Sequence, residues 1–430
     1  MSHIKQKISL LPLVLFVIIY LGSGIYFQMK GVKHAFYQVP APIAILPAIF
    51  LAFFMTKDTF NNNISKFVKG IGHPDIITMC LIYLLAGAFS TIATETGGVD
   101  AIVNLGLSII PNSLILPGVF VISALVSTAM GTSMGTIGAI GPIAISMATK
   151  TDINLGILAG AVMSGAMFGD NLSVISDTTI AATRTQGCNM RDKFQENFKI
   201  ASLAALIAII VYFFLISAPN VVFEKPTNLY LGLPYFFILL LAILGVNVFV
   251  VLSGGIILAG VVALFNGFEI STIIGLTYRG FSNMQEIFLL SLLIGGLSEF
   301  IRSEGGLDYI SHKIQGLISK FAHLNKNAAD QIGIGFLSAL TNLCVANNTV
   351  SIIIVGPIAK KLAAQGNISP KRSASLIDIF SCVVQGLLPY GAQALLLGVT
   401  FKISPWEVVT NSYYCMILPF IAVGFIFTRR

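Results

Sequence analysis

The chain has 430 residues, 56% of them hydrophobic and only 10% charged, with a mean hydropathy of +0.89; this composition excludes a soluble globular protein and indicates an integral membrane protein. The net charge of +7 comes from Lys and Arg scattered among short loops rather than from a basic stripe with aromatics, which excludes nucleic acid as a partner. Cys80, Cys188, Cys344, Cys382 and Cys415 lack CxxC or Cys/His spacing, so neither disulfides nor a zinc site is indicated, and no G-x-x-x-x-G-K-[ST] loop offers ATP chemistry.

In hydrocarbon every backbone polar group must be bonded internally, so the apolar runs are expected to be helices; no β-barrel alternation appears. MSHIKQK followed by ISLLPLVLFVIIYLGSGIYF is laid out like a signal sequence, but the apolar run is long and lacks an A-x-A site, so an uncleaved helix is expected near 8–28. Helices follow near 41–56 and 75–95, then an interfacial helix near 99–111, a re-entrant hairpin over 114–149, a broken helix over 154–183 and a helix at 199–217. Beyond the polar link SAPNVVFEKPTN, the expected elements are helices near 232–250, 252–266 and 285–301, an interfacial stretch at 307–326, a hairpin over 330–361, a broken helix at 373–402 and a helix at 411–428.

This order repeats because the sequence does. LLAGAFSTIATETGGVD (84–100) aligns without a gap on LLIGGLSEFIRSEGGLD (292–308), and ALVSTAMGTSMGTIGAIGPIA (124–144) on ALTNLCVANNTVSIIIVGPIA (339–359). The expected fold is therefore an all-α polytopic membrane protein of two inverted-topology repeats, each with five transmembrane helices, one re-entrant hairpin and one broken helix. The first repeat is 1–217, an extracytoplasmic linker 218–231, and the second repeat 232–430. Five spans per half make the second half inverted. With both termini in the cytoplasm, 19 of the 25 Lys and Arg fall inside, Lys193 among them, leaving only Lys30, Lys33, Lys150, Lys225, Arg279 and Lys402 outside, as the positive-inside rule requires. The expected location is the inner (plasma) membrane, with the lipid bilayer as surroundings and a homodimer as candidate assembly.

The hairpins are inferred from length. The arm 137–149 would reach about 20 Å at 1.5 Å per residue, too short for a core of about 30 Å, so its tip GTSMGT, with Thr132, Ser133 and Thr136, stops partway in. Its counterpart ANNTVS brings Asn347, Asn348 and Thr349 to the same depth. Non-helical backbone survives there only when buried in protein or lining a cavity, and paired breaks of this kind point to a transporter with its site near the midplane. GDNLSVISDTT (169–179) is the break in the first half; QGLLPYGAQ (385–393), with Gln385, Pro389, Tyr390, Gly391 and Gln393, is its counterpart. Only the first carries carboxylates. Asp170 and Asp177, with Asn171, Ser173, Ser176 and Thr178, form the expected ion- and proton-coupling site, with Na+ held at Asp170 and Asp177, because carboxylate, hydroxyl and freed carbonyl oxygens suit a small hard cation or a proton. The plainer reading of either Asp is a helix cap. Gln385, Tyr390 and Gln393 could hold a small organic solute. Glu299 is a second candidate or a surface ion pair with Arg302, and Asp378 a second candidate or a structural residue.

FGDNLSVISDTTIAATRTQGCNMRDKFQENF resembles the signature of NhaC-type sodium/proton antiporters of the ion transporter superfamily, and the likeness covers nearly the whole chain. Members exchange sodium for protons, and some couple organic anions such as malate and lactate. The resemblance thus implies cation-coupled secondary transport without fixing the substrate. ANNTVS is similar to the Ser-Asn-Thr hairpin tips of sodium/dicarboxylate carriers in that superfamily; GTSMGT departs from them in having no asparagine. The expected function is a Na+/H+ antiporter using intramembrane carboxylates in alternating access, the alternative being a Na+- or H+-coupled carrier of an amino acid or small carboxylate. A channel would need a continuous polar path, and MFGD lacks the first glycine of an intramembrane aspartyl protease motif, so no enzyme and no cofactor beyond the transported ions are expected.

Overall fold

The computed structural model describes residues 8–30, 38–56, 58–109, 111–151, 153–173, 176–215, 228–244, 246–307 and 326–428, together with positions 32, 309, 313 and 316. The described residues are almost entirely helical, as apolar chain in hydrocarbon must be. In chain order they form α1 (Leu11–Met29), α2 (Ala41–Ala44), α3 (Leu46–Met55), α4 (Phe60–Ile71), α5 (Pro74–Glu95), α6 (Gly98–Ile109), α7 (Ile115–Met130), α8 (Ser133–Thr151), α9 (Leu155–Leu172), α10 (Asp177–Gln186) and α11 (Met190–Phe214). After the link come α12 (Leu233–Ile243), α13 (Val248–Phe265), α14 (Ile270–Asn283), α15 (Gln285–Ser303), α16 (Lys326–Val345), α17 (Asn348–Gln365), α18 (Pro370–Leu387), α19 (Ala392–Phe401), α20 (Pro405–Thr410) and α21 (Tyr413–Thr428). Among the described residues six helices, two of them broken, are long and apolar enough to cross a membrane; the pair α14–α15, bent by 43°, makes a seventh. The expected helices near 8–28, 41–56, 232–250 and 411–428 correspond to shorter apolar helices.

Burial separates centre from rim. The broken spans Leu155–Gln186 and Pro370–Phe401 are each 83% buried over their most apolar windows, against 39% for Met190–Phe214 and Val248–Phe265. The outer helices turn Phe50, Phe54, Phe265 and Phe420 outward, the arrangement expected where lipid is the solvent. Small residues let the inner helices approach closely. Gly87 of α5 lies under the carbonyl of Gly280 on α14, and Gly295 of α15 against Gly70 of α4, so each half lends one glycine-glycine crossing to the other.

Corresponding elements of the two halves match in length and bonding. The broken spans each pair an 18-residue helix with a 10-residue one. Ser127 donates to the carbonyl of Ala166 at 2.6 Å and its counterpart Asn342 to that of Ser381 at 2.8 Å. Each hairpin turns through one left-handed residue, Gly131 (φ 70°) and Ala346 (φ 52°).

Several boundaries differ from expectation for local reasons. The helix α8 begins at Ser133, spans 19 residues and reaches about 28 Å, so the length argument for a re-entrant hairpin over 114–149 does not hold; what is seen is a reversal of the chain at Gly131, between α7 and α8. The second half opens with a break at 244–247, where Asn247 caps α13 by accepting from Phe249 N–H, so 232–250 is not one helix. The helices α4 and α14 were not expected because their polar faces hide their period; Lys66 of α4 binds Asp58 and Glu304, each at 2.6 Å. The helix α11 starts nine residues before 199. Most of the stretch at 307–326 and most of the linker 218–231 lie outside the described residues.

The glycine crossings give the fold its test. A side chain at Gly87 would run into the carbonyl of Gly280, so Gly87→Val should destabilise the protein by about 2 kcal/mol or more. Gly118→Ala, where a methyl group meets nothing within 4 Å, should leave thermal unfolding in detergent within about 0.5 kcal/mol of the parent.

Candidate ion-binding site

The two breaks and the two hairpin tips meet. The helix α9 ends at Leu172 because Ser173 turns extended, and α10 begins after Ser176, also extended, whose hydroxyl caps it by accepting from Thr178 N–H. Asp170 lies in the last turn of α9, only 4% exposed. One carboxylate oxygen accepts from Ser176 Oγ at 2.6 Å and from Thr178 Oγ1 at 3.5 Å, the other from Ser133 Oγ of the first hairpin tip at 3.1 Å. Ser133 Oγ in turn accepts from Gln393 Nε2 at 3.1 Å, Gln393 Oε1 accepts from Gln385 Nε2 at 2.8 Å, and Gln385 also donates to Ala346 O at 3.3 Å. One hydrogen-bonded chain therefore joins Asp170, both hairpin tips and the second break.

Beside Asp170 is a cavity of about 70 Å³, lined by Thr132, Ser133, Asp170, Ser176, Asp177, Thr178, Asn347, Asn348, Thr349 and Gln393, with apolar cover from Met79, Ile82 and Met134. Its polar atoms are carboxylate, hydroxyl and amide groups, the set that suits a hard monovalent cation. A water needs on the order of 10–15 Å³ of such space, so the cavity has room for a cation with a few waters, whereas organic ligands usually occupy about 300 Å³ or more.

Most of the residues expected at the site are gathered here, and some are not. Asp177 lies on the cavity as an exposed first residue of α10. Asn171 points away and donates to Tyr414 Oη at 2.9 Å. Ser173 contributes its carbonyl, which accepts from Thr179 Oγ1 at 2.7 Å, and Thr136 donates to Thr132 O at 2.9 Å. Tyr390 donates to Leu343 O at 2.7 Å and stands behind the tip, as Gln385 does one step back from Gln393. Glu299 is elsewhere: both its oxygens bind Arg302 at 2.7 Å and Lys69 is at 3.4 Å. It borders a second cavity of about 100 Å³ with His73, Arg302 and Asn347. Asn347 thus lies between the two cavities.

Lys193 corrects the sequence reading most sharply, because it was counted among cytoplasmic loop charges and is fully buried. Its ammonium reaches Asp378 Oδ2 at 2.7 Å, Thr179 Oγ1 at 2.7 Å and Asn171 O at 3.1 Å, and both side chains of the ion pair are 0% exposed. Asn197 Nδ2 donates to Asp378 Oδ2 at 2.8 Å and to Asn171 O at 3.0 Å. The signal was present in the helical period: Lys193, Asn197, Ile200, Ala204 and Ala208 continue one buried face of α11.

An all-helical membrane bundle with an oxygen-lined cavity between paired helix breaks is the architecture of a transporter. The chain belongs to the Na+/H+ antiporter family, whose model matches residues 49–216 and 221–429. It is 26% identical to the malate-2H+/Na+-lactate antiporter of Bacillus subtilis over 87% of this chain and 78% of that one. It is 24% identical to the Na+/H+ antiporter NhaC of the same organism over 84% and 86%, and 23% identical to the arginine/ornithine antiporter ArcD of Halobacterium salinarum over 85% and 79%.

Ser133 and Asn348 border one cavity although 215 residues separate them. In a background with the native cysteines replaced, Ser133→Cys with Asn348→Cys should be bridged by a short bifunctional thiol reagent, giving a mobility shift on gels after cleavage in the 216–227 link. Absence of bridging in both the presence and absence of Na+ would remove the shared cavity.

Proposed function

We propose that this protein is a secondary active transporter exchanging Na+ for H+, with Asp170 as the group that carries one or the other. The observation that carries this reading is a carboxylate buried in a broken membrane span, ringed by three hydroxyl donors and facing an oxygen-lined cavity between both hairpin tips. An intramembrane carboxylate is costly to hold and is a functional group by default. Burial favours its protonated form and a bound cation its charged form, so the two ions compete for the same oxygens. Asp177, exposed at the start of α10, completes the cation's surroundings at the mouth of the cavity. The membership of the Na+/H+ antiporter family supports the same ion pair.

In this reading the halves are an inverted duplication, supported by the matched broken spans, the paired Ser127–Ala166 and Asn342–Ser381 bonds, and the left-handed tips. Alternating access then exposes the cavity first to one side and then to the other. The protein sits in the inner membrane with both termini in the cytoplasm; moving Lys193 from the inside tally to the core leaves 18 of 25 basic residues inside, still a clear asymmetry. A second reading, cation-coupled carriage of an amino acid or small carboxylate, draws on the amide pair Gln385–Gln393 beside the cavity and on the organic substrates named for two relatives. The cavity volume favours the cation alone.

Two measurements test the proposal. In proteoliposomes with an internal pH dye, Na+ alone should drive proton movement, and its apparent affinity should fall about tenfold per pH unit below the midpoint of the site. Asp170→Asn keeps the shape and cannot release a proton, so Na+-driven proton movement should be lost in folded protein; normal exchange in this variant would refute the assignment, and a response only when a pool of amino acids or carboxylates is added would promote the second reading. For orientation, a cysteine at Arg191, exposed at the start of α11, should be modified by membrane-impermeant maleimide only in inverted vesicles.

A further inference from the structure

We infer that the buried Lys193–Asp378 pair is a positioning element of the exchange site: it clamps both lips of the first break and sets the fixed charge against which Asp170 binds its cation. This rests on the Asp170 reading above. Lys193 has three N–H donors, and their partners lie on three different pieces of the site. Asn171 O is at the end of α9, one residue beyond Asp170; Thr179 Oγ1 is in the first turn of α10, one residue beyond Thr178; Asp378 Oδ2 is on α18. The hydroxyl of Thr179 also donates to Ser173 O, inside the break itself. A single ammonium therefore holds the two ends of the broken span in register from behind, opposite the cavity.

The pair is a poor device for stability alone. Replacing a buried ion pair by apolar side chains of similar size is often neutral or favourable, and this one is incompletely satisfied: among the described residues, Asp378 Oδ1, Asn171 Oδ1 and Asn197 Oδ1 accept no hydrogen bond. A half-satisfied buried polar layer costs more than it returns unless its charge is used. The charges add simply. With Lys193 cationic and Asp378 and Asp170 anionic, the buried groups of the empty site carry one net negative charge, and one monovalent cation brings it to zero; the carboxylate of Asp177, exposed at the mouth of the cavity, is screened by solvent and unchanged in every variant below. Removing either partner shifts that sum by one unit, in opposite directions.

The test is the apparent Na+ affinity, read by 22Na+ binding and by transport KM at a fixed alkaline pH. Asp378→Asn leaves the ammonium uncompensated and should weaken Na+ binding roughly tenfold; Lys193→Gln leaves a second anion and should tighten it by a similar factor while slowing release and lowering kcat. The double variant restores the charge sum and should return the affinity to within about threefold of the parent. A merely structural pair predicts the reverse pattern: both single variants lose thermal stability, their affinities do not move in opposite directions, and the double variant is no better than either. Affinities that are unchanged or that shift the same way in both single variants overturn the inference. If either single variant yields no folded protein, the double variant and Lys193→Arg decide the matter, since both keep the net charge; an affinity more than tenfold from the parent in either one overturns it. Asp170→Asn is measured alongside: exchange persisting there refutes the Asp170 assignment, whereas its loss with no opposite shifts at Lys193 and Asp378 refutes only the role of the pair.

Discussion

Everything at the centre of this protein follows from holding one carboxylate in a region without bulk water. An ionised carboxylate transferred to an apolar medium is prohibitively costly unless donors or a cation replace its hydration. The donors here are hydroxyls: Ser133 from the first hairpin tip, and Ser176 and Thr178, six and eight residues beyond Asp170. In a continuous helix residues that far along lie well over a turn away, whereas the break, where the extended residues Ser173 and Ser176 end α9 and start α10, brings them back to Asp170. The break creates free backbone groups of its own. These are matched in turn by Lys193 and Asn197 on the carbonyl of Asn171, and by Thr179 on that of Ser173. The polar centre is thus a short chain of obligations, each answered by the next residue outward, until apolar packing takes over.

Much of this was legible in the sequence, and the reason is chemical rather than statistical. Helical class followed from composition, because hydrocarbon leaves few alternatives. The breaks at 169–179 and 385–393 stood out because polar residues are expensive there, and both appear where expected, with helices resuming at Asp177 and Ala392. The hairpin tips were found from repeated spacing. What the sequence hid were features whose signal is shared with something commoner. A lysine near a helix end reads as a loop charge, and only the continuation of the α11 stripe back through Asn197 separates Lys193 from its neighbours Arg191 and Lys199. Likewise α4 and α14 are amphipathic and short, with periods that apolar run length does not register. Asn171 and Ser173 belong to the right motif but face away from the cavity, since consecutive residues on a helix end cannot share one direction.

The two halves use the same frame for different purposes. Ser127 and its counterpart Asn342 make equivalent bonds, to Ala166 O and Ser381 O, and the tips at Gly131 and Ala346 turn in the same way. At the position of Asp170, however, the second half has Gln385, whose amide donates to Ala346 O at 3.3 Å, where in the first half Ser133 meets a carboxylate. The second break is closed by amides, Gln385 against Gln393, and carries no charge. A symmetric frame with two carboxylates would hold two cations or suffer mutual repulsion. With one carboxylate break and one amide break, the frame keeps its two-sided geometry and, on the exchange reading proposed above, suits a single ion.

That asymmetry also determines how the centre can move. On the proposed reading, a bound Na+ or proton would leave Asp170 neutral, so the loaded site would lose most of the electrostatic penalty of passing through a low-dielectric environment, whereas the empty carboxylate would keep it. Exchange without leak requires this difference, since an empty site that moved as readily as a loaded one would dissipate the gradient. Of the contacts that lead from Gln393 through Ser133 to Asp170, the one that joins the two halves is the hydrogen bond from Gln393 to Ser133, which can break and re-form at small net cost. The glycine crossings Gly87–Gly280 and Gly70–Gly295 are rigid by comparison, because their backbones already touch. Motion is therefore easiest where the halves meet through polar side chains around the cavity, and hardest where they meet through backbone at the crossings of α5 with α14 and α4 with α15.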